Sequence, residues 1–289
     1  MIPVTLNTVR EAYRVYGITP SVIADFQSMI CTYYRTYRRI LPWRGTSDPY
    51  HILVSEIMLQ QTQVPRVEAI YPLFIQRFPQ FSSLAHAPLE KILQVWKGLG
   101  YNRRAIALKK IAQRVLREHN GSLPHDPAVL STFPGIGPAT ARSIVTFAFN
   151  EPVVFLETNI RTVFISVFFP DAPRVHDREI LPLVEKTLLT EHPREWYSAL
   201  MDYGARLKKE ESNYGRKSAT HHPQPRFEGS DRQVRGTILK ILLQQPSMPA
   251  DNLRERTALS DERLKKILQD LEREGFVHIE NGMVRFSEG

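Results

Sequence analysis

The chain has 289 residues, of which 42% are hydrophobic and 24% charged, a composition and length that indicate a globular protein of two or three domains. Its single cysteine, Cys31, excludes an internal disulfide framework and any zinc or iron–sulfur site held by several thiolates. With no apolar run long enough to span a membrane and no secretory pattern at residues 1–14, we expect a cytoplasmic monomer without membrane contact.

The net charge is +8, and its distribution along the chain is more informative than its size. Seven bases and no acid lie in 97–117, four arginines and no acid lie in 32–44, and six bases against two acids lie in 204–226. Three such segments are typical of a surface that binds a phosphate backbone. The alternative is three solvated helix faces without a partner.

Residues 21–207 are predicted to be mainly helical, because apolar residues recur there at spacings of three and four. Within this region Asp48 and Pro49 predict a helix start, with the aspartate as N-cap and the proline in the first turn. The sequence PGIGP at 134–138 predicts a tight hairpin between two helices.

Residues 208–230 are polar and basic, and they predict a linker that is extended or only partly ordered. The adjacent His221 and His222 have no third ligand at a suitable spacing, which favours exposed side chains over a metal site.

Residues 231–289 predict a separate small domain, with helices near 232–244, 249–257 and 260–275. Ser260 is a suitable N-cap for the third helix. A β-hairpin is predicted around Asn281-Gly282, so the segment has the elements of a winged helix. The third helix holds five acids and four bases, a net charge of −1. This charge disfavours reading of a DNA groove and leaves protein contact or structural support open.

One carboxylate lies within an apolar helix-forming stretch, SEIMLQQTQV at 55–64. Ile52 and Leu53 precede Glu56 by four and three residues and share its helix face. Loss of hydration raises the pKa of a carboxyl group, and a carboxyl that is protonated near neutral pH can act as a general acid. The alternative is a structural glutamate paired to a buried arginine or a backbone N–H.

A second carboxylate, Glu157, follows the apolar run VVFL and precedes a helix predicted from Thr158 or Asn159 to Phe168. Free N–H groups and the helix dipole favour the ionised carboxylate there; the alternative is a charge that only stabilises the helix. Two carboxyl groups with pKa values shifted in opposite directions form a workable acid and anionic stabiliser for glycosidic-bond cleavage. N-glycosidic bonds to nucleobases pose a similar chemical problem.

The PGIGP hairpin is followed by a helix predicted to begin near Pro138. The unsatisfied N–H groups at such a helix end bind phosphate without side-chain specificity. Alternatively, the hairpin only connects two helices.

Five segments occur in this order: LPWRGTSDPYHILVSEIMLQQTQV (41–64), WKGLGYNRRA (96–105), FPGIGPATA (133–141), LETNIRTV (156–163) and MDYGA (201–205). Together they resemble the helix-hairpin-helix DNA glycosylases, most closely the MutY-type adenine glycosylases, over roughly residues 25–207. The resemblance implies a mainly α, two-lobed HhH-GPD fold. We expect one lobe at 1–44 and 156–207, a six-helix lobe with the hairpin at 45–155, the linker at 208–230 and the winged helix at 231–289.

The resemblance also implies a role for each matching residue. Glu56 matches the catalytic glutamate that protonates adenine at N7, Glu157 the aspartate that stabilises the cationic sugar, and Asn159 an active-site asparagine. Base flipping leaves a gap in the duplex. Gln60 and Gln61 match the glutamine pair that fills or borders this gap, and Tyr101 matches an aromatic wedge beside the opposite base. The Gly135–Gly137 hairpin matches the phosphate anchor, with a monovalent cation there as an open alternative and no other metal. The expected DNA-contacting residues are Gln60, Gln61, Tyr101, Arg103, Arg104, Gly135, Gly137, Thr140 and Arg161.

Three departures within the glycosylase region, and a fourth in the C-terminal segment, bear on function. Glu157 is one methylene longer than the usual aspartate, and catalysis is sensitive to displacements of about 1 Å. Ala139 occupies the position of the Schiff-base lysine of bifunctional relatives, so efficient strand cleavage is not expected. RLKKEESNYGRKS (206–218) replaces the four-cysteine iron–sulfur loop, so no cluster is expected. The winged helix stands where MutY enzymes carry a domain that checks for 8-oxoguanine.

The sequence therefore predicts a nucleoid-associated, monofunctional DNA glycosylase of base excision repair, without cofactors. Its substrate would be double-stranded DNA with a flipped, mismatched adenine opposite guanine or 8-oxoguanine. Two alternatives remain open: a mismatch glycosylase for thymine or uracil opposite guanine, and a non-catalytic DNA-binding protein. Retention of both Glu56 and Glu157 argues against the non-catalytic alternative.

Overall fold

The computed structural model describes residues 4–210, 213–223 and 226–287, which are mainly helical, so the predicted mainly α class is confirmed. The α-helices are α1 (Leu6–Tyr16), α2 (Pro20–Tyr37), α3 (Pro49–Leu59), α4 (Val64–Arg77), α5 (Phe81–Ala85), α6 (Leu89–Trp96), α7 (Arg103–Glu118), α8 (Pro127–Leu130), α9 (Pro138–Phe149), α10 (Thr158–Phe168), α11 (Asp177–Thr187), α12 (Pro193–Glu210), α13 (Asp231–Gln244), α14 (Ala250–Thr257) and α15 (Asp261–Arg273). Two 3₁₀ helices (Pro42–Gly45 and Tyr214–Lys217) and three strands, β1 (Ser247–Pro249), β2 (Val277–Glu280) and β3 (Met283–Phe286), accompany them. Among the residues that the structure describes, no helix combines the length and apolarity needed to cross a membrane.

The chain forms two compact units, each assembled from separate stretches of sequence. Unit 1 comprises Met1–Ser47, His125–Ala128 and Gly137–Pro223. Unit 2 comprises Asp48–Pro124, Val129–Ile136 and Gln224–Gly289. The domain boundaries expected from the sequence remain a prediction.

The core of unit 1 is built around α10, which is buried along most of its length. Phe26 of α2 makes edge-on ring contacts with Phe164 and Phe168 of α10 and with Trp196 of α12, at centroid distances of 5.4, 5.2 and 5.7 Å. Each fully buried aromatic side chain of this kind contributes about 1.5–3 kcal/mol through removal of apolar surface from water. This packing fixes the position of α10, which has Glu157 as its N-cap and Asn159 in its first turn.

A buried ion cluster joins the N-terminal part of unit 1 to α12. Asp202, which is only 2% exposed, accepts hydrogen bonds from Arg39 Nε at 2.6 Å and from both terminal nitrogens of Arg44 at 2.8 Å. Burial opposes ionisation of Asp202, but the hydrogen bonds and charges of Arg44 and Arg39 outweigh it and hold the pKa of this carboxyl below its usual value. Two of the four arginines in the basic segment 32–44 are therefore held in this cluster, where the single carboxylate of Asp202 neutralises one of their two positive charges.

The segment after MDYGA is packed on unit 1 rather than extended. α12 continues to Glu210, and the second 3₁₀ helix follows at Tyr214–Lys217. Gly215 is buried there, and a Cβ atom on it would lie 2.8 Å from Thr162 Oγ1, so only glycine allows this approach to α10. Ser218 adds a parallel bridge to Val175.

Residues 213–220 of the predicted linker are thus not extended, because a small residue lets the backbone dock against a helix. The linker boundaries 208–230 stay a prediction. His221 and His222 are exposed, as expected. Part of the predicted linker lies outside the described residues, namely Glu211, Ser212, Gln224 and Pro225.

In unit 2, α3 begins as the sequence predicts. Asp48 is its N-cap, and Asp48 Oδ1 accepts hydrogen bonds from the backbone N–H groups of Tyr50 at 2.8 Å and His51 at 3.2 Å. The next ten residues are predominantly apolar, and most of them are buried. Glu56 is therefore a half-buried carboxyl group on a helix whose other residues are mostly buried and apolar.

The C-terminal part of unit 2 contains three helices and a small antiparallel sheet of order β1-β3-β2. Val284 of β3 pairs with Met248 of β1 on one side and with Ile279 of β2 on the other. The predicted helices and the hairpin around Asn281-Gly282 are confirmed. β1 was missed because it is three residues long and ends in proline. Assignment of this segment as a winged helix remains a prediction.

Candidate active site and DNA interface

The candidate active site of unit 1 lies at the N-terminus of α10. Glu157 is the N-cap of this helix, and its Oε2 atom accepts a hydrogen bond from the backbone N–H of Asn159 at 2.8 Å. The other carboxylate oxygen, Oε1, lies 3.5 Å from the side-chain nitrogen of Asn159. The helix predicted from Thr158 or Asn159 to Phe168 is confirmed, and it places a carboxylate at the positive end of the helix dipole.

Lys208 of α12 completes this site and was missed by the sequence analysis. Its ammonium group donates a hydrogen bond to Asn159 Oδ1 at 2.7 Å. Burial lowers the pKa of Lys208, while the negative charge of Glu157 acts in the opposite direction. The ammonium thus fixes the amide orientation of Asn159, whose nitrogen then points its hydrogens away from the lysine and towards the carboxylate.

Helix spacing could have revealed Lys208. Gly204, the glycine of MDYGA, precedes Lys208 by four residues and lies on the same face of α12. A Cβ atom at Gly204 would lie 2.3 Å from the carbonyl oxygen of Asn159, so this glycine is required for the close approach of α12 to α10. A residue one turn after a glycine of close approach is positioned to reach the same partner.

Glu56 lies on α3 in unit 2, whereas Glu157 belongs to unit 1. The side chain of Glu56 is half-buried. Its neighbours are buried, namely Ile52 and Leu53 on the same helix face and Ile57 next to it in the chain. These buried apolar neighbours are the ones that the sequence predicts around Glu56. Its role as general acid stays a prediction.

The prediction that Arg104 contacts DNA is corrected by the structure, in which this side chain is buried. Its guanidinium donates hydrogen bonds of 2.6–3.4 Å to oxygen atoms of two segments, which belong to Ile57, Met58, Gln60, Thr62, Leu99, Gly100 and Tyr101. Burial lowers the pKa of Arg104 to about 10, which leaves it cationic at neutral pH. Arg104 therefore holds the end of α3 against the GLGY loop instead of facing a phosphate group.

The two segments held by Arg104 carry three predicted DNA-contacting residues. Gln60 donates a side-chain hydrogen bond to the carbonyl oxygen of Gly135 at 3.0 Å, which links the glutamine pair to the hairpin. Gln61 is exposed, and both Gln61 (φ 54°) and Tyr101 (φ 47°) have left-handed backbone conformations. Such conformations are costly for residues other than glycine and persist where the surrounding structure enforces them.

The hairpin at Gly135–Gly137 has the geometry that the sequence predicts. Gly135 has φ 76°, and a Cβ atom there would meet Ala107 Cβ at 3.2 Å, so glycine is required on two grounds. Gly137 is the N-cap of α9, and Thr140 lies in its first turn, close to the free N–H groups of the helix end. Binding of phosphate or of a monovalent cation at this hairpin remains a prediction.

A cleft of about 470 Å³ opens in unit 2 between the GLGY loop and the first helix of the C-terminal segment. Gln60, Gln61 and Tyr101 line one part of it. Phe227, Arg232 and Arg235 line the other part. Residues before, within and after the predicted linker therefore contribute to one cavity.

Known DNA repair proteins are similar to this chain in sequence and fold. Residues 54–184 match the model of the HhH-GPD superfamily of base excision DNA repair proteins. An adenine DNA glycosylase of Mycobacterium tuberculosis (strain ATCC 25618 / H37Rv) is 34% identical over 247 residues, which cover 77% of this chain and 79% of the relative. The chain belongs to the HhH-GPD superfamily.

Two further matches extend this assignment. An adenine DNA glycosylase of Buchnera aphidicola is 37% identical over 189 residues, which cover 64% of this chain but only 53% of that relative. The solved structure of a thermostable thymine-DNA glycosylase matches with a TM-score of 0.57 and 28% identity, over 63% of this chain and 86% of that chain. The predicted HhH-GPD fold and the predicted class, a glycosylase of base excision repair, are confirmed by these matches.

In this HhH-GPD protein the basic surface is smaller than the sequence suggests. Arg161, a predicted DNA contact, forms a two-point ion pair with Asp177 at 2.8 and 2.7 Å, so its charge is neutralised. Lys109 is buried, and Arg114 and Arg117 share Glu118. Arg103, another predicted contact, is exposed and lies 3.5 Å from Glu274. Exposed bases without a carboxylate partner among the described residues include Arg35, Arg38, Lys97 and Lys110.

Proposed function

We propose that this protein is a monofunctional adenine DNA glycosylase that removes adenine opposite guanine or 8-oxoguanine from double-stranded DNA. The observation that carries the proposal is the carboxylate of Glu157 at the N-terminus of α10, hydrogen-bonded to Asn159 with Lys208 behind it. The adenine DNA glycosylases among its relatives supply the choice of base.

The chemistry proceeds in two steps. A protonated Glu56 donates its proton to N7 of the flipped adenine, and the electron pair of the N-glycosidic bond leaves with the base. The deoxyribose becomes an oxocarbenium-like cation, which the ionised Glu157 stabilises until water adds to the anomeric carbon and releases one proton to solvent, from which Glu56 is reprotonated. Asn159, held by Lys208, keeps the carboxylate of Glu157 in one orientation.

Two features support base excision without strand cleavage and without a cluster. Ala139 is an exposed residue at the second position of α9, and its methyl group cannot form a Schiff base with the sugar. Cys31 is the only cysteine in the sequence, whereas the iron–sulfur loop of the MutY-type enzymes that the chain resembles supplies four thiolates. The docked segment at 213–220 covers part of α10 in this protein.

We further propose that the protein acts as a monomer on DNA in the cytoplasm.

A base-release assay tests the proposal. Single-turnover reactions on duplexes carrying adenine, thymine, uracil or hypoxanthine opposite guanine or 8-oxoguanine identify the released base. We expect adenine release that Glu56→Gln, an isosteric change, reduces by about 10²–10⁴-fold, because it removes a general acid. DNA affinity should be unchanged. Substantial residual activity of Glu56→Gln would contradict the role of Glu56.

A second candidate is a mismatch glycosylase for thymine or uracil opposite guanine. The similarity to the solved thymine-DNA glycosylase favours it. Thymine release without adenine release in the same panel would select this candidate. If the protein binds mismatched duplexes but releases no base, and Glu56→Gln changes nothing, it is a non-catalytic DNA-binding protein.

A further inference from the structure

The cleft of unit 2 contains an arginine that none of the catalytic steps uses. Arg232 lies in the first turn of α13, and its guanidinium carbon is 5.1 Å from the ring centroid of Tyr101 and 5.2 Å from that of Phe227. Its Nη1 atom donates a hydrogen bond to the hydroxyl group of Tyr101. Two aromatic rings and one hydrogen bond therefore fix this guanidinium in one orientation.

The other edge of Arg232 is available to a ligand. Within the described part of the chain, Nε and Nη2 of Arg232 donate to no protein atom, and no carboxylate pairs with its charge. The neighbouring arginines differ, because Arg235 is paired with Glu274, Arg103 lies near the same carboxylate and Arg104 is buried. Arg232 thus presents a pre-oriented fork of two N–H donors in a cleft of about 470 Å³, a volume typical of ligand sites.

The backbone around this cleft is strained in a way that points to binding. Six non-glycine residues among those described have positive φ, and three are asparagines, which tolerate this conformation. Two of the remaining three, Gln61 and Tyr101, line this cleft. Strained residues concentrate at ligand-binding and catalytic sites, where the surrounding structure holds them in place.

We propose that this cleft binds the base opposite the excised one, and that Arg232 recognises that base as guanine. A fork of two N–H donors matches the adjacent O6 and N7 acceptors of guanine. Adenine presents a donor beside N7, and cytosine and thymine lack this pair of acceptors. In 8-oxoguanine N7 carries a hydrogen atom, so one of the two bonds is lost and guanine is preferred.

This inference rests on the proposed function only in requiring a target base with a partner across the helix. It does not depend on whether the target is adenine or thymine, because guanine is an opposite base in both candidates. Arg232 is a specificity residue that contacts the opposite base, and it takes no part in bond cleavage.

The test removes the N7 acceptor from the DNA and the guanidinium from the protein. Excision by the wild type, Arg232→Ala and Arg232→Lys is measured in single turnovers on duplexes whose target base lies opposite guanine, 7-deazaguanine or 8-oxoguanine. We expect excision by the wild type to be about tenfold slower opposite 7-deazaguanine than opposite guanine, because one of the two hydrogen bonds is lost. Arg232→Ala should excise the target base slowly and at the same rate opposite guanine and opposite 7-deazaguanine. Arg232→Lys should not restore the rate difference between these two duplexes.

Lys240→Ala is the matched control, an exposed base on the same helix outside the cleft, and it should retain the wild-type preference. The proposal is overturned if the wild type does not distinguish guanine from 7-deazaguanine, or if Arg232→Ala still does. Affinities for the same duplexes are measured in parallel. If no base is released, the proposed function fails, and the guanine preference in binding still decides the role of Arg232.

Discussion

Replacement of Arg104 tests whether this residue builds the DNA interface or contacts DNA itself. Its guanidinium donates to seven oxygen atoms, and the bonds to Ile57, Met58 and Leu99 are fully buried. A buried polar group left without its partner costs about 1–3 kcal/mol. Three orphaned carbonyl groups therefore predict that Arg104→Ala lowers the free energy of unfolding by about 3–5 kcal/mol, a large share of typical domain stability.

Urea unfolding of the wild type and the variant measures this loss, and single-turnover excision shows whether the GLGY loop still functions. Arg104→Lys should be nearly as destabilised, because a single ammonium group cannot reach both segments. Arg103→Ala is the matched control: its side chain is 74% exposed, so a change below about 0.5 kcal/mol is expected.

The opposite pattern would refute this reasoning. If Arg104→Ala unfolds within about 1 kcal/mol of the wild type and loses salt-dependent DNA affinity that lysine restores, then Arg104 binds phosphate. The role expected from the sequence would then be reinstated.

Three further predictions concern unit 1. Asp202→Asn should lower the free energy of unfolding by about 3–5 kcal/mol at neutral pH, because it leaves buried arginine charge unpaired. Since the pKa of Asp202 is lowered in the folded state, the stabilisation by its carboxylate is present above the ordinary pKa of 3.8 and is lost as the pH falls through the folded-state pKa. The stabilities of the two proteins should therefore converge in acid, and a difference that stays constant with pH would contradict this prediction. Lys208→Met should slow excision at least tenfold with unchanged DNA affinity, because Asn159 loses its fixed donor, whereas the exposed Lys209→Met should not; equal rates for the two variants would exclude the positioning role. Ala139→Lys should create a borohydride-trappable complex with DNA, visible by gel mobility, and absence of trapping would show that position 139 does not reach the sugar.

Local sequence patterns predicted the elements of this fold well, because the relevant forces act over a few residues. The Asp48 cap, the start of α10 at Thr158 and the hairpin at Asn281-Gly282 all follow from side chains next to the backbone that they stabilise. The candidate acids were identifiable for the same reason, since each is an exception to its immediate surroundings.

The remaining features depend on partners that are distant in sequence. Asp202 pairs with arginines about 160 positions earlier, and Arg104 turns inward to meet carbonyl groups more than 40 positions away. A count of bases along the chain cannot distinguish such residues from exposed ones. Lys208 and Arg232 were missed because their partners, Asn159 and Tyr101, lie 49 and 131 positions away.

The discontinuous build of unit 1 has a consequence for synthesis on the ribosome. Helices α1 and α2 are complete by residue 37, but their packing partners lie within Gly137–Pro223. At about 5–20 residues per second, roughly 10–40 s separate emergence of the first stretch from that of the last. During this interval the apolar faces of α1 and α2 have no native partner from unit 1 beyond each other. The N-terminal helices are therefore made first and buried last, which makes nascent chains shorter than about 200 residues the form of this protein most exposed to chaperones and to aggregation.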